Sequence, residues 1–193
     1  MKPFFLGHPV AIALFFSTLA VWLAVESRQA IHHRADATSK DRGSAIVLRL
    51  CAVAGSVLAA LALNVRSTTF SDGPVVFGVG LGLMFAGIGL RWWCFRTLGR
   101  YFTFTVMTSA GQPVIDAGPY RVLRHPSYAA LLLVLIGMGL SYGNWLSLVA
   151  LTILPLAGLM NRMRVEEAAL TAALGPAYTR YASTRKRIIP FVW

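Results

Sequence analysis

The chain has 193 residues, of which 56% are hydrophobic and 13% charged, with a mean hydropathy of +0.64 and a formal net charge of +11. A soluble domain carries about 25% charged residues, and so short a chain cannot hide this much apolar surface in one aqueous core, so the composition excludes an ordinary soluble globule. The arginines stand between long apolar runs rather than on one basic face, which fits anionic lipid headgroups and argues against a nucleic-acid partner.

Five apolar stretches follow one another, at residues 4–25, 46–65, 75–90, 128–142 and 145–160. They predict an all-α integral membrane protein with five transmembrane helices, some a little short of the roughly 20 residues a span needs. The first stretch imitates a signal peptide, but only Lys2 precedes it and no small-x-small site follows, so it is read as a span. The third contains Gly78, Gly80, Gly82, Gly87 and Gly89. No strand–turn–helix context makes this a nucleotide loop, and Gly78 with Gly82 fits the small-xxx-small spacing of packed membrane helices. Gly143 and Asn144 alone separate the last two stretches, a tight helical hairpin, and Pro155 is expected to kink the fifth helix.

Positive charge sets the orientation. Arg28, Arg34, Lys40 and Arg42 follow the first stretch, and Arg91, Arg96, Arg100, Arg121 and Arg124 follow the third. Arg162, Arg164, Arg180, Arg185, Lys186 and Arg187 follow the fifth. Lys2 and Arg66 fall on the other side, while Arg49, near the start of the second span, snorkels to the interface. The expected topology is a multi-pass protein of the plasma or inner membrane, with its N-terminus outside and its C-terminus in the cytoplasm.

Two polar elaborations carry the chemistry. In residues 100–106 polar and aromatic residues alternate, as in an extended segment. Asp116-Ala117-Gly118-Pro119-Tyr120 then reads as a turn, and His125 stands just ahead of Pro126, which suits a first helical position. The free N–H groups of that helix favour an anionic ligand; the same residues also suit an interfacial belt with His125 as a cap. In the tail Arg162 and Glu166 share a helical face, and Arg164 and Glu167 form a second candidate pair. A short amphipathic piece with Tyr178 and Tyr181 follows, and residues 188–193 read as an interfacial anchor. Cys51 and Cys94 lack metal-ligand spacing, and the four histidines are scattered, so no metal site is expected.

The run Gly118-Pro119-Tyr120-Arg121-Val122-Leu123-Arg124-His125-Pro126-Ser127-Tyr128, the hairpin, the R-x-R-x-E-E-x-x-L run from Arg162 to Leu170, and Gly175-Pro176-Ala177-Tyr178 together resemble the isoprenylcysteine carboxyl methyltransferase family. The resemblance covers about half the chain, residues 98–190. It implies one membrane domain over 1–193, with three N-terminal spans (1–90) and a methyltransferase-like core (91–193) that holds the hairpin 128–160. It also implies S-adenosylmethionine in a cytoplasmic pocket between the loop before the fourth helix and the C-terminal helices. Gln112, Pro113, Val114, Ile115, Tyr120, His125, Pro126, Ser127, Tyr128 and Glu166 would line the cofactor, with Thr105 a further candidate. Arg162 and Glu166 would be the catalytic pair, Arg162 holding the substrate. Asp116 and Ala117 depart from the small hydroxyl residues common in the family.

The implied activity is carboxyl O-methylation of an isoprenylcysteine-like acid, a lipophilic small molecule or prenylated partner reaching the site from the bilayer. N-methylation of an amine phospholipid, a sterol-type NADPH reductase and a small transporter are the alternatives. For the first two spans, shaping a lipid-facing tunnel and bracing the core both stay open.

Overall fold

A computed structural model describes residues 3–30, 38–102, 107–108 and 113–190. Its six helices are α1 (Pro9–Ala30), α2 (Ser44–Ala62), α3 (Gly73–Leu98), α4 (Pro126–Ser141), α5 (Trp145–Leu174) and α6 (Pro176–Thr184). Short 3-10 turns punctuate the connections, including Gly99–Tyr101 and Gly118–Arg121. One antiparallel pair joins β1 (Thr38–Ser39) to β2 (Met107–Thr108), tying the first connection to the third. Thr105 and Gln112 lie outside the described residues.

All five apolar stretches are helices, and the chain is an integral membrane protein. Helices α1, α2, α3 and α5 are long and apolar enough to cross a bilayer. They leave Val10, Leu50, Val53, Leu61, Val75 and Ile153 more than half exposed, as helices bathed in lipid do. Helix α4 has 16 residues, about 24 Å at 1.5 Å per residue, against a hydrocarbon core of about 30 Å. Ten of those residues are buried, because α4 packs between α3 and α5. Helix α5 has 30 residues, about 45 Å, so it outruns the hydrocarbon. Pro155 lies inside it, buried, and the helix continues past it.

Helix α3 does not stop at Leu90 but continues to Leu98, carrying Arg91 and Arg96 within it. Its glycines pack, but not on the expected face. Around Gly78 and Gly82 the space is open, whereas a Cβ on Gly80 would lie 2.6 Å from the Gly137 carbonyl oxygen of α4. A Cβ on Gly87 would meet the Ala130 oxygen at 2.8 Å, and one on Gly137 would meet the Gly80 oxygen at 2.5 Å. The two backbones therefore touch, as small residues permit in lipid. In the same way Gly55 and Gly158 bring α2 against α5.

The hairpin turn is latched by Asn144, which is 0% exposed. Its Oδ1 accepts from Ser147 N at 3.1 Å and caps α5, while Nδ2 donates to Ala62 O at 3.0 Å and Thr68 Oγ1 at 2.7 Å. At that end of the bundle the rings of Phe5, Phe15, Phe77 and Tyr142 stack together. The opposite end gathers the charges: the end of α1, the start of α2, the end of α3, the start of α4 and the far half of α5.

Candidate active site

The polar end is organised by arginines paired with carboxylates. Arg91 of α3, 5% exposed, pairs with Glu26 of α1, its Nη2 lying 2.9 Å from Oε2. Its Nη1 donates to both the carbonyl oxygen and Oγ of Ser127, 2.8 Å each. This fixes the first turn of α4 against two other helices.

The loop before α4 turns at Gly118, whose φ of 51° suits glycine and whose Cβ position lies 2.8 Å from Thr97 Oγ1. Tyr181 of α6 donates to the carbonyls of Tyr120 (2.8 Å) and Leu123 (3.2 Å), and Arg185 pairs with Asp116 at 2.9 Å. The tail runs back beside the loop: Arg124 N donates to Lys186 O at 2.8 Å and His125 N to Arg187 O at 2.9 Å. Glu167 closes this strap, meeting Arg124 Nη1 at 2.9 Å, Arg187 Nη2 at 2.9 Å and His125 Nε2 at 3.1 Å. The expected Arg164–Glu167 pair is thus replaced, because Glu167 faces the loop and tail while Arg164 is exposed. His125 occupies the cap position of α4, yet its side chain bonds Glu167 and not the helix backbone. Ile188 is buried against Leu132, Leu159 and Met163 instead of anchoring in lipid, and residues 191–193 lie outside the description.

Arg162 and Glu166 are joined through a third residue. Arg162 Nε donates to the Tyr128 hydroxyl at 2.8 Å, and that hydroxyl donates to Glu166 Oε2 at 2.6 Å. Arg162 is 4% exposed, and its charge is met by Asp41, with Nη1 3.0 Å from Oδ1. Asp41 also braces the start of α2, accepting from Ser44 Oγ at 2.9 Å and Ala45 N at 3.0 Å. Sequence reading missed both Asp41 and Glu26. One signal could have found them: with only seven acidic residues in the chain, any acid beside the arginine-rich end is a candidate partner.

These groups surround one partly open cavity. Of the residues expected at a cofactor, Pro113, Val114, Ile115, Tyr120, His125, Ser127, Tyr128 and Glu166 line it, as does Arg162. Pro126 is buried beneath, at the start of α4, and Gln112 is outside the described residues. Leu48, Leu98, Leu131, Leu170 and Leu174 make the wall apolar, while Arg91, Arg124, Tyr178 and Tyr181 add polar groups. Burial pushes the Tyr178 and Tyr181 phenols up, so both remain protonated donors at neutral pH. The Tyr178 hydroxyl and Arg124 Nε are buried and have no hydrogen-bond partner among the described residues. A buried donor left over at a cavity wall is a site for a ligand acceptor.

A sequence profile described as the isoprenylcysteine carboxyl methyltransferase (ICMT) family matches residues 80–172. A probable protein-S-isoprenylcysteine O-methyltransferase of Oryza sativa subsp. indica is 31% identical over 116 residues, 59% of this chain and 61% of that protein. The uncharacterized protein YpbQ of Bacillus subtilis is 24% identical over 115 residues, 59% of this chain and 68% of that one. The solved eukaryotic intramembrane Ras methyltransferase ICMT shares the fold, with a TM-score of 0.61 and 24% identity, over 75% of this chain and 52% of its own. The chain thus spans about three fifths of the rice enzyme's length and half of the solved one. Residues 80–172, which hold the start of α4, Arg162, Glu166 and Glu167, are thus similar to the isoprenylcysteine carboxyl methyltransferase family.

Proposed function

We propose that the chain transfers the methyl group of S-adenosylmethionine to a lipophilic carboxylic acid of the isoprenylcysteine type. The observation that carries this is the cavity at which Arg162, Tyr128 and Glu166 are hydrogen-bonded in series inside the family-matched segment. The whole of 1–193 is read as one membrane unit. Positive charge concentrated at the cavity end supports a cytoplasmic site and an N-terminus on the other side.

The residues present fit that cofactor, which carries an ammonium, a carboxylate, a sulfonium and an adenine nucleoside. Glu166, 29% exposed, offers the cavity a carboxylate for the ammonium. The spare donors on Arg124 and Tyr178 suit acceptor oxygens or ring nitrogens. Leu98, Phe102, Ile115 and Tyr120 give an apolar and aromatic wall for a ring. When bound, S-adenosylmethionine supplies an electrophilic methyl on its sulfonium.

The chain's own residues have a modest chemical task. A carboxylate acceptor with a pKa near 4 is ionised at neutral pH, so no general base is required. Arg162 holds it by a charge-assisted hydrogen bond, and the leucine wall keeps water from competing for the methyl. Catalysis is then alignment of acceptor and methyl. The matched relatives give no support to the amine, reductase or transporter readings, and a buried arginine is a poor host for an amine headgroup.

The test is transfer of labelled methyl from S-adenosylmethionine to a farnesylated cysteine derivative, in inverted and right-side-out membrane vesicles. A base-labile ester formed in inverted vesicles is expected. Label that resists base points to an amine acceptor, turnover confined to right-side-out vesicles reverses the orientation, and no turnover in either sinks the reading.

A further inference from the structure

Asp41 lies outside the segment that matches the family profile, on the connection before α2, and is separated by 121 residues from the arginine it holds. It is 9% exposed. One oxygen receives Arg162 Nη1 at 3.0 Å and Ser44 Oγ at 2.9 Å; the other receives Ala45 N at 3.0 Å. Ser44 Oγ itself lies 3.4 Å from Arg162 Nη1. The carboxylate is therefore fixed by the first turn of α2, and presents a fixed charge to Arg162.

On its other edge Arg162 is tied, through Tyr128, to Glu166. The guanidinium is thus suspended between two carboxylates, Asp41 from the N-terminal half and Glu166 from the cavity. We propose that Asp41 is a positioning residue for methyl transfer: it fixes the plane of Arg162 against the pull of Glu166, so that the acceptor carboxylate is aligned with the methyl. The proposal rests on the methyl-transfer reading, and it gives the N-terminal spans a part in the reaction.

The charge balance gives the proposal its signature. Loss of the Asp41 charge leaves Arg162 less neutralised, so it attracts an anionic acceptor at least as well as before. What is lost is alignment, and a misplacement of about 1 Å can cost roughly 10²-fold in rate. Positioning therefore predicts a fall in kcat without a rise in the acceptor KM. A role confined to bracing the start of α2 predicts something else: lower stability with kcat unchanged in the protein that stays folded.

The experiment compares wild type, Asp41→Asn and Asp41→Ala in nanodiscs, with a farnesylated cysteine derivative as acceptor. Binding of S-adenosylhomocysteine is measured beside turnover. We expect Asp41→Asn to melt earlier because a buried ion pair is broken, yet to keep its cofactor affinity when folded, to lose at least about tenfold in kcat, and to show an unchanged or lower acceptor KM. Asp41→Ala loses at least as much rate and also melts earlier. If Asp41→Asn turns over like wild type, Asp41 only braces α2 and the proposal is overturned. A raised acceptor KM with unchanged kcat overturns it too. Wild type that binds the cofactor and methylates, beside an unaffected Asp41→Asn, isolates the failure to Asp41; inactive wild type takes down the methyl-transfer reading and this proposal together.

Discussion

Glu166 and Glu167 are neighbours with different surroundings, and the difference is set by one residue of helical rotation. Glu166 looks into the cavity and receives the Tyr128 hydroxyl; Glu167 looks at the loop and tail and receives Arg124, His125 and Arg187. Glu167→Gln would leave Arg124 and Arg187 without their common counter-charge. Breaking a buried ion pair costs about 3–5 kcal/mol, and since Arg187 is one-third exposed the lower end, about 3 kcal/mol, is expected here. Thermal unfolding in detergent should show a clear drop in midpoint for Glu167→Gln and little change for Glu166→Gln. Equal midpoints for the two variants would contradict the division of labour. Their hydrogen-bond partners were not legible in the sequence, where both glutamates had an arginine at helical spacing. The competing partners, Asp41 for Arg162 and Arg124 for Glu167, come from tertiary packing that spacing along one helix does not report.

Between elements, the glycines of α3 show how far periodicity carries. Their density announces a helix that another backbone approaches, and α4 does approach it. Which face is used was not legible, since Gly78–Gly82 and Gly80–Gly87 both have spacings that return to one face, and the two pairs point about 170° apart at about 100° per residue. Burial decides: α4, too short and too apolar to be a surface helix, needs the glycines at 80 and 87 to seat Gly137, Val134 and Ala130. Gly137→Ala would force its Cβ to within 2.5 Å of the Gly80 oxygen and should cost about 1–3 kcal/mol as overpacking. Gly78→Ala meets open space and should gain about 0.5–1 kcal/mol from helix propensity. Thermal midpoints moving in opposite directions support this packing; a destabilised Gly78→Ala would place the interface on the other face.

For the whole molecule, length and hydropathy were enough to give an integral membrane bundle, because five apolar stretches joined by short or basic connections allow few other folds. The cavity was legible through the residues around His125 and Glu166, since both blocks carry their own local signatures. The contributions of α1 and α2 were not, because Glu26 and Asp41 act singly and across 65 and 121 residues of chain. Their effect is to tie the N-terminal helices to the polar end, so the site is a property of the entire bundle.

The central claim is that this polar end binds S-adenosylmethionine with Glu166 in contact. Calorimetric titration of S-adenosylmethionine and S-adenosylhomocysteine into nanodisc-embedded protein, wild type beside Glu166→Ala, tests it most directly. The account predicts saturable binding to wild type, weakened at least about tenfold by loss of a charged hydrogen-bonding partner. Well-folded wild type that binds neither compound would contradict it, and equal binding by both proteins would remove Glu166 from the site.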